Sequence, residues 1–199
     1  MERDLKISPI TLEGKHVRLE PMTAAHEAAL VAAADDGEIW RSTVTIVPSR
    51  ETMRGYIETA LRAQSLGMEL PFVIVRKSTA RVVGTTRFYD INFTDGRAAI
   101  GYTWLGTGAQ RTPVNTESKL LLLIHAFEQW KLIRIELITD VLNQQSRAAI
   151  LRLGAKEEGI RRSHMMMPDG RIRDSACFSI ISAEWPDVKA ALLNKLAGR

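Results

Sequence analysis

The chain has 199 residues, 45% of them hydrophobic and 25% charged, with a net charge of +4. That makeup supports one sizeable core and excludes a disordered chain. The basic excess is too small and too scattered to argue for nucleic acid, and no apolar run approaches the roughly 20 residues of a membrane span. A single cysteine, Cys177, rules out an internal disulfide and fits a reducing compartment. The opening MERDLKISPITLEG is charged and lacks the apolar stretch of a signal peptide, so a cytoplasmic location is expected.

The elements follow from periodicity and punctuation. KHVRLEPM, Lys15 to Met22, alternates as a strand and stops at Pro21. Thr23 can cap a helix running through Ala34, and Ser49 can cap a second one carrying Met53, Tyr56, Ile57, Ala60 and Leu61 at helical spacing. Pro71 then breaks the chain before the strand FVIVR. RVVGTTRFYDINF and AAIGYTWLG follow, separated by a turn at Asp95-Gly96, and the three read as an antiparallel meander. A helix over Pro113 to about Trp130 is apolar on most sides, so it should be covered on more than one of them. IRIELITDV is a strand, and NQQSRAAILRLGA is a loop and short helix ending at Gly154. EGIRRSHMMM and IRDSACFSII are strands joined through Pro168-Asp169-Gly170, and Pro186 to Leu196 is a closing helix. No repeat or linker divides the chain, so one domain over 1–199 is expected, of the α+β class with a mixed sheet flanked by helices.

One junction carries chemistry. In GTGAQRTPVNTESKLLLL, a polar loop with two glycines enters the long helix directly after a strand. A helix N-terminus leaves unpaired N–H groups and a partial positive charge, which together suit a phosphate. With Thr112 as N-cap, Pro113 falls at the first helical position, where its fixed φ fits and its missing N–H costs nothing. The amides of Arg111, Thr112, Val114, Asn115 and Thr116 remain as donors. A plain structural β–α turn fits the same residues. Downstream, Ser146 stands near a helix start, where it serves equally as a cap.

Taken together, TLEGKHVRLEPM, VVGTTRFYDI, IGYTWLG, QRTPVNTESKLLLL, ELITDVLNQQSRAAILRLGA, EGIRRSH and DGRIRDSACFSI resemble the GNAT superfamily of acyl-CoA N-acyltransferases, in particular its RimJ/RimL-like branch. The segments cover most of the chain in family order. The resemblance implies a splayed mixed sheet with acetyl-CoA as cosubstrate wedged in the opening, and no metal. It implies that Thr103, Trp104 and Leu105 pair with the pantetheine arm. Gln110 opens the phosphate loop, but Pro113 and Asn115 stand where the family pattern has Gly and Gly or Ala. Asn143 matches a cofactor contact, and Ser146 the residue that protonates the leaving thiolate.

The implied reaction transfers an acetyl group to a primary amine, either a protein N-terminus or a small molecule. It needs a neutral amine, a stabilised oxyanion and a protonated sulfur. Asp90, on the strand face of Thr86 and Phe88, and His164 are the candidate bases, with Glu117 a third. Trp40 is either core or a wall of the acceptor pocket. Arg161, Arg162, Arg171 and Arg173 read as a solvated face or as an attractor for an acidic acceptor. A non-catalytic acyl-CoA sensor on the same scaffold is the alternative function. The residues leave the acceptor and the oligomeric state open, a dimer included.

Overall fold

The structure is a computed structural model describing residues 7–198; the charged opening, residues 1–6, lies outside the described residues. Eight strands form one sheet in the order β1-β2-β3-β4-β5-β6-β8-β7. They are β1 (Leu12–Glu13), β2 (Val17–Pro21), β3 (Leu70–Arg76), β4 (Arg81–Asn92), β5 (Arg97–Leu105), β6 (Arg134–Asp140), β7 (Lys156–Met166) and β8 (Ile172–Ile181). The helices are α1 (Glu27–Asp35), α2 (Met53–Ser65), α3 (Pro113–Ile124), α4 (Gln144–Arg152) and α5 (Trp185–Ala197). No helix among the described residues is long and apolar enough to cross a membrane.

The period-2 alternation of the strands sends side chains to two separate cores. Phe72, Phe88, Leu122, Leu123, Phe178 and Leu192 pack on the face covered by α3 and α5. Met22, Leu30, Met53, Ile57, Val73 and Trp104 pack on the face covered by α1 and α2. Along β4 this puts Thr86 and Phe88 toward α3, and Thr85 and Arg87 toward α2. Cys177 is buried, and its thiol is pushed up mainly by desolvation, as an inert core thiol should be.

Four local expectations change. Thr52, and not Ser49, stands at the N-cap of α2. Pro71 does not precede β3 but lies inside it, opposite Arg87 of β4. Its carbonyl accepts from Met22 N, so its missing N–H points the same way, past the end of β2 at Pro21. The long helix is α-helical only to Ile124; His125–Gln129 form a π-helical turn. That turn brings the His125 and Trp130 rings to 4.6 Å and the Phe88 and Trp130 rings to 4.7 Å. Thr23 caps a short 3-10 turn ahead of α1 and pairs with His26 through Thr23 N to Nδ1 at 3.0 Å.

The feature that makes a site is at the middle of the sheet. All neighbouring strands pair antiparallel except β5 and β6, which run parallel and pair only at Arg97↔Arg134, Ala98↔Ile135 and Ala99↔Glu136. Beyond these pairs β5 continues to Leu105 beside β4, and β6 to Asp140 beside β8. The sheet therefore opens as a V between them, as the family resemblance implies.

Candidate active site at the open sheet

The β5 arm of the V is bent by a bulge. Thr85 of β4 pairs with Trp104 and Arg87 pairs with Gly101, so Tyr102 and Thr103 together face Thr86. Tyr102 takes φ 50, a costly conformation for an aromatic residue. Both faces hold it. On the α2 face Thr85 donates to the Tyr102 carbonyl at 2.9 Å, and Tyr56 lies 3.0 Å from Thr85. The Arg87 guanidinium lies 4.2 Å from the Tyr102 ring and 4.5 Å from the Tyr56 ring, and pairs with Glu69 at 2.8 Å. On the α3 face the Thr103 hydroxyl meets that of Thr86 at 2.9 Å. Thr103, Trp104 and Leu105 thus follow the closed end of the V in sequence, on an arm with no strand partner toward β6 among the described residues.

At the open end stand two helix N-termini. Thr112 is the N-cap of α3 with Pro113 at its first position, as expected, and the Thr112 hydroxyl accepts from Val114 N at 3.3 Å. Of the four amides that a helix start leaves free, Pro113 has none and Val114 is capped, so Thr112 and Asn115 remain, with Arg111 just before them. Thr116 lies one residue too deep, where its amide closes the first helical turn. Arg111 is exposed and at φ 58 turns the chain into the helix. Gln110 donates to the Leu105 carbonyl at 2.9 Å and accepts from Gln145 of α4 at 3.1 Å. It ties the end of β5, the α3 loop and α4 into one rim.

At α4 the N-cap is Asn143, whose side chain accepts from Ser146 N at 2.9 Å. The capping role open to Ser146 is therefore filled by its neighbour three residues earlier. The Ser146 hydroxyl has no hydrogen-bond partner among the described residues. The other end of the Asn143 amide donates to Thr45 at 2.8 Å, so its side chain is committed on both sides.

The candidate bases separate. Asp90 has φ 48, is exposed, and pairs with Arg97 at 2.7 Å. A register irregularity between Tyr89 and Asn92 removes it from the alternation of Thr86 and Phe88. It lies one residue past Tyr89, whose partner Ala99 closes the V. His164 lies in β7 with Nδ1 2.9 Å from the Ser175 hydroxyl, and Ser175 faces Asp140 at the open end of β6. His164 is exposed, yet local desolvation, then the charges of Arg161 and Arg173, hold its imidazole below the usual value, so it is neutral near pH 7. Glu117 is buried, and its carboxylate accepts the amides of Lys15, His16 and Val17 at 2.9, 2.6 and 2.7 Å. It is a structural clamp and not a base.

The arginines of the β7–β8 hairpin are mostly committed inside the protein. Arg161 pairs with Glu136 at 3.1 Å, Arg171 with the fully buried Asp140, and Arg173 donates to Ser175 at 2.9 Å. Trp40 is half-buried against the α1–α2 core. Sequence reading missed the Tyr89–Tyr102 pair, with ring centroids 5.4 Å apart, and the Arg87 sandwich beside it. It also missed Lys119, buried in α3, although a lone lysine four residues before Leu123 on an apolar stripe was a visible signal.

Comparison with known proteins agrees with this geometry. The family model described as acetyltransferase (GNAT) domain matches residues 16–156. A GCN5-related N-acetyltransferase from Brucella melitensis superposes with a TM-score of 0.85 at 30% identity, covering 94% of this chain and 85% of that one. Mycobacterium smegmatis RimJ in complex with CoA-disulfide has the same fold, with a TM-score of 0.78 at 22% identity over 96% of this chain and 94% of that one. YdaF of Bacillus subtilis (strain 168), named provisionally as a ribosomal N-acetyltransferase, is 28% identical over 106 residues, 53% of this chain and 57% of that protein. The matches span less than two thirds of the curated relatives' own lengths. With the family model matching most of the chain, this protein belongs to the GNAT acetyltransferase family.

Proposed function

We propose that the protein transfers an acetyl group from acetyl-CoA to a primary amine, with the acceptor reaching the thioester from the α2 side of the V. The observation that carries this reading is the three-residue β5–β6 pairing, which leaves a free strand edge leading to two helix N-termini. The pantetheine arm lies along Thr103–Leu105. The phosphates lie on the amides of Arg111, Thr112 and Asn115, where the α3 dipole adds to them. The amine nitrogen attacks the thioester carbonyl, the C–S bond breaks, and an amide and CoA result. An amide of β5 near Trp104 or Leu105 stabilises the oxyanion. His164 takes the proton the amine loses, directly or through water, and Ser146 protonates the leaving thiolate. The name of YdaF, a ribosomal N-acetyltransferase, favours a ribosomal protein as acceptor over a small amine.

Calorimetry with CoA and with pantetheine tests the groove. CoA should bind and pantetheine far more weakly, because the loop amides hold only the phosphate end. Equal affinities would refute the loop assignment. Thiol release from acetyl-CoA, across a panel of N-terminal peptides and small amines, tests the reaction. Binding without release on any acceptor would make the protein an acyl-CoA sensor instead. Within that assay Ser146→Ala should lower kcat by roughly 10²-fold or less at nearly unchanged CoA affinity. Its melting temperature should stay close to the parent's, since Asn143 does the capping. Parent-like kcat would remove Ser146 from the mechanism.

A further inference from the structure

Lys119 is 5% exposed, and its Nζ donates to the hydroxyls of Thr86 at 3.1 Å and of Thr103. No carboxylate pairs with it among the described residues, and Glu117 on the same helix is spent on the β2 amides. A lone buried amine is expensive, and an apolar side chain of the same length would avoid the cost. Stability therefore does not account for a lysine here. Its position does. The two threonines it joins lie on β4 and β5 at the bulge, and the Thr103 hydroxyl also reaches the Gly101 carbonyl at 3.2 Å. Arg87, Tyr56 and Thr85 brace Tyr102 on the opposite face. The strained segment is thus clamped from both sides of the sheet, and on the α3 side the clamp converges on one amine.

We propose that Lys119 is a positioning residue for acetyl transfer: from α3 it pins Thr103 and so fixes the bulge after which the Trp104 and Leu105 amides meet the thioester. This rests on the placement of acetyl-CoA along β5 given above. Burial also pushes the amine down to about 7, and the neutral form has two N–H donors for the two hydroxyls it meets. The role is electrostatic preorganisation: a donor held in place polarises the carbonyl, and a donor on a loosened strand does so less.

Isotope-edited infrared spectroscopy of [1-13C]acetyl-CoA bound to the protein tests it, with calorimetry giving affinity in parallel. In the parent the thioester carbonyl stretch should move to lower frequency on binding. In Lys119→Met most of that shift should disappear while acetyl-CoA affinity changes by no more than roughly threefold. Thr103→Val cuts the same link from β5 and should lose the shift of the bound thioester as well, whereas Thr103→Ser keeps the hydroxyl and should keep the shift. If Lys119→Met fails to fold, the Thr103 pair decides alone. A parent-like shift in Lys119→Met or in Thr103→Val would overturn the proposal while leaving the groove assignment standing. Absence of acetyl-CoA binding by the parent would overturn the groove assignment, and this role with it.

Discussion

Replacing Glu117 by alanine should cost about 3–5 kcal/mol of stability, because it strands three backbone amides at once. The carboxylate sits 5% exposed on α3 and accepts from Lys15, His16 and Val17 within 2.6–2.9 Å. These are charge-assisted bonds that fix the start of β2, whose Val17 and Leu19 are fully buried core residues. The approach is close enough that a Cβ on Gly14 would lie 2.5 Å from the Glu117 carboxyl carbon, so a side-chain-free residue turns the chain there. For a chain of this size the loss corresponds to a melting temperature lower by about 10 °C. Glu117→Gln keeps the shape and one acceptor oxygen and should lose about half as much. Denaturant melts give the energies, and hydrogen exchange should show the amides of residues 15–17 losing protection first. A loss under about 1 kcal/mol for the alanine variant would mean that water replaces the carboxylate at no cost.

The second large effect concerns Lys119 and pH. Its folded-state value is about 7, against 10.5 for the free side chain, and desolvation is the cause. Between those two values the unfolded chain binds a proton that the folded chain does not. Stability then rises with pH through this window, by up to roughly 1.4 kcal/mol per pH unit. Below about pH 7 both states are protonated and the folded state carries the full burial penalty; above about 10.5 neither is, and the penalty is gone. Lys119→Met lacks the group altogether. Other titrations cancel when the variant is compared with the parent at each pH. The variant should therefore have its greatest relative advantage at pH 6–7, shrinking steadily toward pH 10. Urea midpoints across that range measure it. A gap that does not change with pH would mean that the amine keeps its ordinary affinity for protons in the fold.

Much of the architecture was legible because it depends on residues a few positions apart. The order of strands and helices follows from alternation against 3.6-residue periodicity. Thr112 caps α3 and Pro113 fits its first position through local backbone preferences alone. Gly154 ends the α4 segment at φ 98, a conformation glycine adopts freely. What the segments resemble pointed to the open sheet before its register was known. The roles within the site depended on partners distant in the chain. Whether Asp90 faces a cleft or pairs with Arg97 is settled by a register irregularity across two strands. Ser146 and Asn143 are both good caps by type, and the packing that ties Asn143 to Thr45, 98 positions away, decides between them. Glu117 was a candidate base by type until β2, 100 residues earlier in the chain, brought three amides to it. Lys119 meets Thr86 across 33 positions. Backbone propensity acts over one or two turns, whereas a buried polar side chain takes its function from whichever donors and acceptors the fold brings to it, and only the tertiary structure decides which those are.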